Sequence, residues 1–331
     1  MSDRKADPGP VEAAVEARRA APLPSGRVSD HLRWLRAAVP GERLFAPRVA
    51  ILVASPDGQR VVVDGRAHLP WADVEMETSL GATARGLLTG LAIPFESSGN
   101  FEPVAALAGM AWWETAAELG PLAPVWIVVR AGGVLAPGAA RAAAPPMRPA
   151  SDVRLAREAL AGERGEGTGE AGRRPEQPTA GDYIARVRRR IGHARIFYPW
   201  AGLGIRDAQG RLLLVRHALL RQWHCPGGGM EIHETPEVTA VRELREETSL
   251  AARPGRLIGC YSRHVRAFPN GDRIQGVTLF MEGSAGGELR ADPTGEIDAM
   301  GWFGPDELPP LHPPWAGRVR QLLTGEGARL D

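Results

Sequence analysis

Apolar runs of strand length come in pairs in each half of this chain. RVAILVASPDGQRVVVDG, residues 48–65, reads as two strands about an Asp-Gly turn, and GLGIRDAQGRLLLVRH, Gly202 to His217, as two more joined by Asp-Ala-Gln-Gly. Further on, strand-like segments span Leu257 to Tyr261, Gln275 to Met281 and Asp298 to Phe303. The pair Asn270-Gly271 marks a tight hairpin turn, and Trp315 to Leu323 has the length of a closing helix. Between these strands the period changes to that of a helix. Thr235 can cap its N-terminus, Pro236 suits the first helical position, and Ser249 with Ala-Ala-Arg-Pro after Leu250 predicts its end. On a helical wheel Val238, Val241 and Leu244 form an apolar stripe, with Glu243, Glu246 and Glu247 opposite.

Three carboxylates at i, i+3 and i+4 repel one another, and Arg242 alone offers local relief. A solvated acidic face would tolerate this, but a hard cation would neutralise it. Oxygen ligands suit Mg²⁺, or Mn²⁺ in its place, and such an ion completes its shell with substrate phosphate. The surrounding spacing favours the cation. Gly228, Glu234, Arg242-Glu243-Leu244, Glu246-Glu247, Ser249 and Leu250 fall at the intervals of the Nudix box, and the segment resembles that signature of the Nudix hydrolase superfamily. Two positions depart from the pattern: Ser249 replaces the late glycine, and His233 replaces the glycine before the first glutamate.

The resemblance implies a Nudix α/β/α sandwich, a mixed sheet flanked by helices, over residues 181–331. It also implies a Mg²⁺-dependent pyrophosphohydrolase that cleaves a nucleoside diphosphate linked to some group X. ADP-ribose-like compounds and (d)NTPs lead the substrate options. Carried over by position, the Gly227 carbonyl, Glu243, Glu246 and Glu247 would hold metal, Arg242 would orient the carboxylates, and Glu234 would support the attacking water. A loop glutamate near Glu296 serves as general base in several members, so Glu296 is the candidate base, with Asp298 its competitor and an idle surface acid the plain alternative. Arg263, Arg266 and Trp223 are candidate substrate contacts, each with a structural reading open; Phe268 is a further ring that could stack on a base.

Composition narrows the partners. The chain has 331 residues and a formal net charge of +1, which argues against a charge-driven nucleic-acid or membrane partner. Cys225 and Cys260 form no disulfide framework and fit a reducing compartment, and the cytoplasm is the default location. Residues 1–25 read as a disordered tail and 151–180 as a Gly-, Glu- and Arg-rich linker, leaving 26–150 to fold separately. That region carries an echo of the box. Pro70, Glu75, Glu77, Thr78, Arg85 and Leu87 match Pro226, Glu231, Glu234, Thr235, Arg242 and Leu244 if one residue is gapped at His233. On that alignment Gly86, Thr89 and Gly90 stand at the metal positions and Trp71-Ala72 in the glycine loop, so the domain reads as a degenerate, non-catalytic Nudix-like repeat, or another α/β module. It would make the monomer a pseudo-dimer of halves, a homodimer being the other arrangement. Trp112-Trp113 could cap a base or pack. The arginines of DYIARVRRRIGHARIFYPW, Arg186, Arg188, Arg189, Arg190 and Arg195, are expected on one helix. Two other classes stay open: a non-hydrolytic nucleotide-binding regulator and an RNA-end-processing enzyme.

Overall fold

The computed structural model describes residues 24–331 except 56–58, 65, 92–94, 109–113, 117–118, 136–146, 150–152, 164–182, 269, 291–293 and 312. Trp112-Trp113, the Asp57-Gly58 turn and most of the N-terminal tail therefore lie outside the described residues.

The N-terminal half begins with α1 (Asp30–Ala38), followed by β1 (Leu44–Leu52), β2 (Arg60–Val62), β3 (Trp71–Asp73) and α2 (Leu80–Gly90). It continues through β4 (Phe95–Leu107), β5 (Glu114–Ala116), β6 (Gly120–Leu135), β7 (Met147–Pro149) and α3 (Arg154–Glu163). The C-terminal half runs α4 (Tyr183–Ile191), β8 (Ile196–Ile205), β9 (Leu212–His217), β10 (Trp223–His224), β11 (Gly227–Gly229) and α5 (Pro236–Thr248). It ends with β12 (Ala251–Tyr261), β13 (Val265–Ala267), β14 (Arg273–Gly286), β15 (Ile297–Phe303), α6 (Pro313–Thr324) and β16 (Arg329–Leu330).

Each half is built on a mixed sheet, in the orders β3-β1-β6-β4 and β11-β8-β14-β12-β16. The central pair is parallel in both, β1 with β6 and β8 with β14, and its outer neighbours are antiparallel. The registers agree as well. Leu44 faces Leu122 and Ile196 faces Ile274, and both pairs are the same 78 positions apart. Trp71 pairs with Ala50 as Gly227 pairs with Gly202, and the helix caps Ser79 and Thr235 each follow eight positions later. The cap count removes the gap expected at His233. Ser79 rather than Thr78 matches Thr235, His233 matches Glu77, and Gly86 rather than Arg85 matches Arg242. Leu87, Gly90 and Leu91 then stand at the positions of Glu243, Glu246 and Glu247, and none carries a carboxylate.

Equivalent elements meet their own counterparts across the middle of the molecule, β1 against β8 and β4 against β12, as in an isologous dimer. One apolar cluster spans both halves, from Leu32, Leu35 and Phe45 to Tyr183, Phe197 and Leu244. Phe45 meets Tyr183 edge-on at 4.9 Å, and His31 meets Phe197 at 5.7 Å. Polar bonds fix the register of this junction. The Gln275 side chain accepts from the Glu77 N–H and donates to the Thr78 carbonyl, while Ser262 Oγ accepts from the Leu80 N–H.

Three sequence expectations change. Residues 154–163, placed in a linker, form α3, with Val153, Leu155 and Ala156 buried. The arginine-rich helix stops at Ile191, so Arg195 belongs to the approach to β8, which starts six residues before the expected Gly202. The buried stripe of α5 is Pro236, Ala240, Leu244 and Thr248, with Val238 and Val241 half-buried, and the helix packs against β8 and β12 of the central sheet. Among the described residues no helix is long and apolar enough to cross a membrane.

Candidate active site

The site forms where β11 turns into α5. Thr235 caps the helix by accepting from the Val238 N–H, Pro236 occupies the first turn, and Ser249 closes it in the left-handed conformation at φ 64°. A serine adopts that conformation less readily than the glycine it replaces, but the exit is unchanged in form. Gly228 is required by space. A Cβ there would overlap the carboxylate of Glu243, so only a glycine lets the helix acid lie against the strand. Gly227 has φ 152°, and a Cβ there would collide with the Ala201 carbonyl of β8.

Arg242 organises the acids. Its Nε and Nη2 donate to the two oxygens of Glu234 at 2.7 and 2.9 Å, and Nη1 donates to Glu243 at 2.7 Å and to Glu246 at 3.2 Å. The remaining Nη2 hydrogen goes to the Gly229 carbonyl at 3.0 Å, so all five guanidinium donors are used. Glu234 also accepts from Thr239 Oγ1 and the Glu231 N–H. Glu247 is buried and accepts from the Gly227 N–H at 3.0 Å, tying the far end of the acidic face to the glycine strand.

Two of the three acids on Arg242, Glu234 and Glu243, have pKa values shifted in opposite directions. Burial pushes Glu234 up, but its paired bonds to Arg242 and those from Glu231 and Thr239 outweigh this and leave it below the usual carboxylate range. For Glu243 burial wins: one bond to Arg242 does not offset it, Glu246 and Glu296 add repulsion, and its pKa rises to about 7. The cluster thus holds more negative charge than one guanidinium neutralises. Every donor is a hard oxygen, which fits a divalent cation of the Mg²⁺ type. Among the described residues no three acidic, His or Cys side chains already converge on one point.

The loop acids separate cleanly. Glu296 is exposed, lies 3.7 Å from His217 Nε2 and is near enough to Glu243 for its charge to be felt there. Asp298, its competitor, is bound by Arg216 at 2.7 Å and by Arg221.

The candidate substrate contacts also have partners within the fold. Trp223 sits edge-on to Phe303 at 5.0 Å beneath Arg216 and bridges to Leu311. Arg263 donates its backbone N–H to Asp331 beside the junction of the halves, and Arg266 lies over Phe268 at 5.0 Å on the β13 edge. Two residues not singled out in the sequence belong to the cluster. Thr239 is a buried helix threonine directed at Glu234, and Tyr198 of β8 brings its hydroxyl onto Gly229, where a Cβ would overlap it. Thr239 could have been found from its place one turn after the cap; Tyr198 required the β8–β11 register. His233, at the non-glycine position of the box, lies close enough to Arg43 and Arg186 for burial and both charges to lower its pKa. Cys225 is a buried free thiol whose pKa burial raises, which suits packing and not nucleophilic chemistry.

A family model described as NUDIX domain matches residues 199–323. A MutT-like protein of Streptomyces ambofaciens is 33% identical over 131 residues, which cover 39% of this chain and 79% of that protein. The chain belongs to the Nudix family. A putative 8-oxo-dGTP diphosphatase of Bacillus subtilis is 35% identical over 121 residues, covering 37% of this Nudix chain and 74% of that one. Among solved structures, a MutT NUDIX hydrolase from Burkholderia pseudomallei aligns with 26% identity and a TM-score of 0.31, over 39% of this chain and 97% of that one. The chain is accordingly a Nudix hydrolase, of the family whose members include diphosphatases and pyrophosphohydrolases.

Proposed function

We propose that this Nudix hydrolase cleaves the diphosphate of a nucleoside diphosphate linked to X, with (d)NTPs, including oxidised ones, ahead of ADP-ribose-like compounds. The observation that carries this reading is the Arg242 clasp, which gathers Glu234, Glu243 and Glu246 over the glycine strand and leaves negative charge in surplus. The similarity to the putative 8-oxo-dGTP diphosphatase of Bacillus subtilis supports the (d)NTP arm. Glu243, Glu246, Glu247 and the Gly227 carbonyl would hold Mg²⁺, or Mn²⁺ in its place. When bound, the cation supplies electrostatic stabilisation of the phosphoryl oxygens. Arg242 keeps the carboxylates in position, and Glu234, ionised by its bonds, orients the attacking water. Glu296 takes that water's proton. The water oxygen bonds to phosphorus as the bridging P–O bond breaks, giving a nucleoside monophosphate and a phosphorylated remainder.

A nucleotide library incubated with the protein and Mg²⁺, with products identified by mass, tests the reading. Turnover of nucleoside diphosphate-X compounds is expected, with a loss of about 10²- to 10³-fold in Glu247→Gln, which keeps the acceptor for the Gly227 N–H and removes the charge. Turnover of capped RNA without free nucleotides would overturn the substrate class, and near-normal turnover in Glu247→Gln the metal assignment.

A further inference from the structure

The repeat that lost its acids kept a cleft. An open cavity of about 420 Å³ lies where the halves meet, lined by Met76 and Glu77 of the N-terminal half and by His193, Ala194, Arg195, Gly271 and Arg273 of the C-terminal half. Its place follows from the internal symmetry. Met76 and Glu77 are the counterparts of Ile232 and His233 in the catalytic turn, and Arg195 is the counterpart of Arg43, whose charge acts on His233. The contact of Arg195 with Glu77 thus repeats the approach of Arg43 to His233, with an acid in place of the histidine.

The charges of this second cleft are the reverse of the first. Where α5 presents Glu243, Glu246 and Glu247, α2 presents Leu87, Gly90 and Leu91. The glycine strand is replaced by Trp71, Ala72 and Asp73, and Asp73 is spent on a buried pair with Arg48 at 2.6 Å. What remains is basic: Arg195 and Arg273 line the space beside His193, with Glu77 the single acid among the lining residues. Arg188 and Asp272 stand behind them, where Asp272 holds His193 Nδ1 at 2.8 Å and Arg188 donates to the Arg273 carbonyl. Arg195 gives Nη1 to Glu77, and its Nε is buried. Two guanidiniums lining one open cleft suit a planar or tetrahedral oxyanion.

We propose that this cleft is a second, non-hydrolytic site that binds a phosphate-bearing anion through Arg195 and Arg273, and that the N-terminal repeat survives as its other wall. The site does not depend on the hydrolytic reading. Its walls come from both halves, and Glu77 and Thr78 are bonded to Gln275 of the central sheet, so occupancy braces the junction.

Calorimetric titration of the full chain with inorganic pyrophosphate and with ADP, in EDTA, tests this without metal at the catalytic acids. Saturable binding of both is expected, weakening at least tenfold in Arg273→Glu and strengthening in Glu77→Gln, with no change in a Glu246→Gln background. Tighter binding of ADP than of pyrophosphate would mark a nucleotide site, and equal binding a site for the phosphates alone. No binding of either anion, or binding lost in Glu246→Gln and indifferent to both Arg273→Glu and Glu77→Gln, would overturn the proposal. Glu77→Gln, which removes only a charge, keeps the test decisive if Arg273→Glu fails to fold.

Discussion

Replacing Arg242 by lysine keeps the charge and removes the geometry, so it measures what the clasp is worth. The guanidinium uses five donors on four acceptor groups, two of them on opposite oxygens of Glu234. An ammonium has three donors on one atom and cannot span these acceptors, so at least two bonds go. Hydrogen bonds to charged groups are worth about 1.5–3 kcal/mol each when shielded from water. The bond to Glu246 belongs near zero on that scale, because that side chain is 53% exposed. The losses that count are the second bond to Glu234 and the one to Glu243, whose side chains are 12% and 17% exposed. Together they amount to about 3 kcal/mol, which corresponds to about 10²-fold in rate if it all serves to position the carboxylates. Steady-state kinetics across a Mg²⁺ titration should therefore show kcat/KM about 10²-fold lower in Arg242→Lys, with more cation needed for half-maximal rate. Glu234→Gln should cost less in the lysine background than alone, since both disrupt one network. A lysine variant within about threefold of wild type at every Mg²⁺ concentration would refute the claim that this clasp pre-organises the site.

Glu296→Gln should lower kcat by about 10²-fold with an unchanged Mg²⁺ requirement, whereas Asp298→Asn, which loosens Arg216 and Arg221, should leave kcat nearly intact; the reverse ranking would move the base to Asp298. His31 lies between Trp34 and Phe197 at the junction, where burial lowers its pKa to about 4 against a small opposing effect of Glu75. Its neutral form is the folded one, so its contribution is complete above the unfolded value near 6.5 and is lost as pH falls toward 4, by about 3 kcal/mol in all; denaturant melts at pH 7 and pH 4.5 should show a difference that shrinks in His31→Gln. A segment beginning at Thr179 should expose the apolar face shared with Leu32, Leu35 and Phe45, so it should aggregate or melt well below the full chain. A monomeric segment with full thermal stability would show that the shared core contributes little.

The acidic helix was legible because its chemistry is local. Cap, proline and glutamate spacing lie within one turn of each other, and the structure keeps the helix within two residues of the expected limits. Which face of that helix is buried was not legible. Glu247 lies opposite the apolar stripe on a wheel, yet it is buried and accepts from the Gly227 N–H, twenty residues away. The same limit holds for the candidate substrate contacts. The sequence does not show that Trp223 meets Phe303, that the Arg263 backbone N–H meets Asp331, or that Arg266 lies over Phe268. The repeat was visible in composition and misplaced by one residue in alignment. Glutamate-to-glutamate matching favoured a gap that the strand register and the caps at Ser79 and Thr235 remove.

The contrast between β3 and β11 explains why only one half of a symmetric molecule is placed to hydrolyse. In β11 three glycines leave room for Glu243 and the Tyr198 hydroxyl, and the strand's edge belongs to the site. In β3 the matching positions carry Trp71, Ala72 and Asp73, so Ala72 has a Cβ where Gly228 has none, and Arg48 lies over Trp71 at 4.4 Å and over Trp126 at 5.1 Å. A carboxylate restored at Leu87, the counterpart of Glu243, would meet the Cβ of Ala72 where the catalytic half has Gly228. The N-terminal half has become a partner that cannot dissociate. Its own loop meets Arg195 across the junction, and in return it supplies Arg43 beside the catalytic turn.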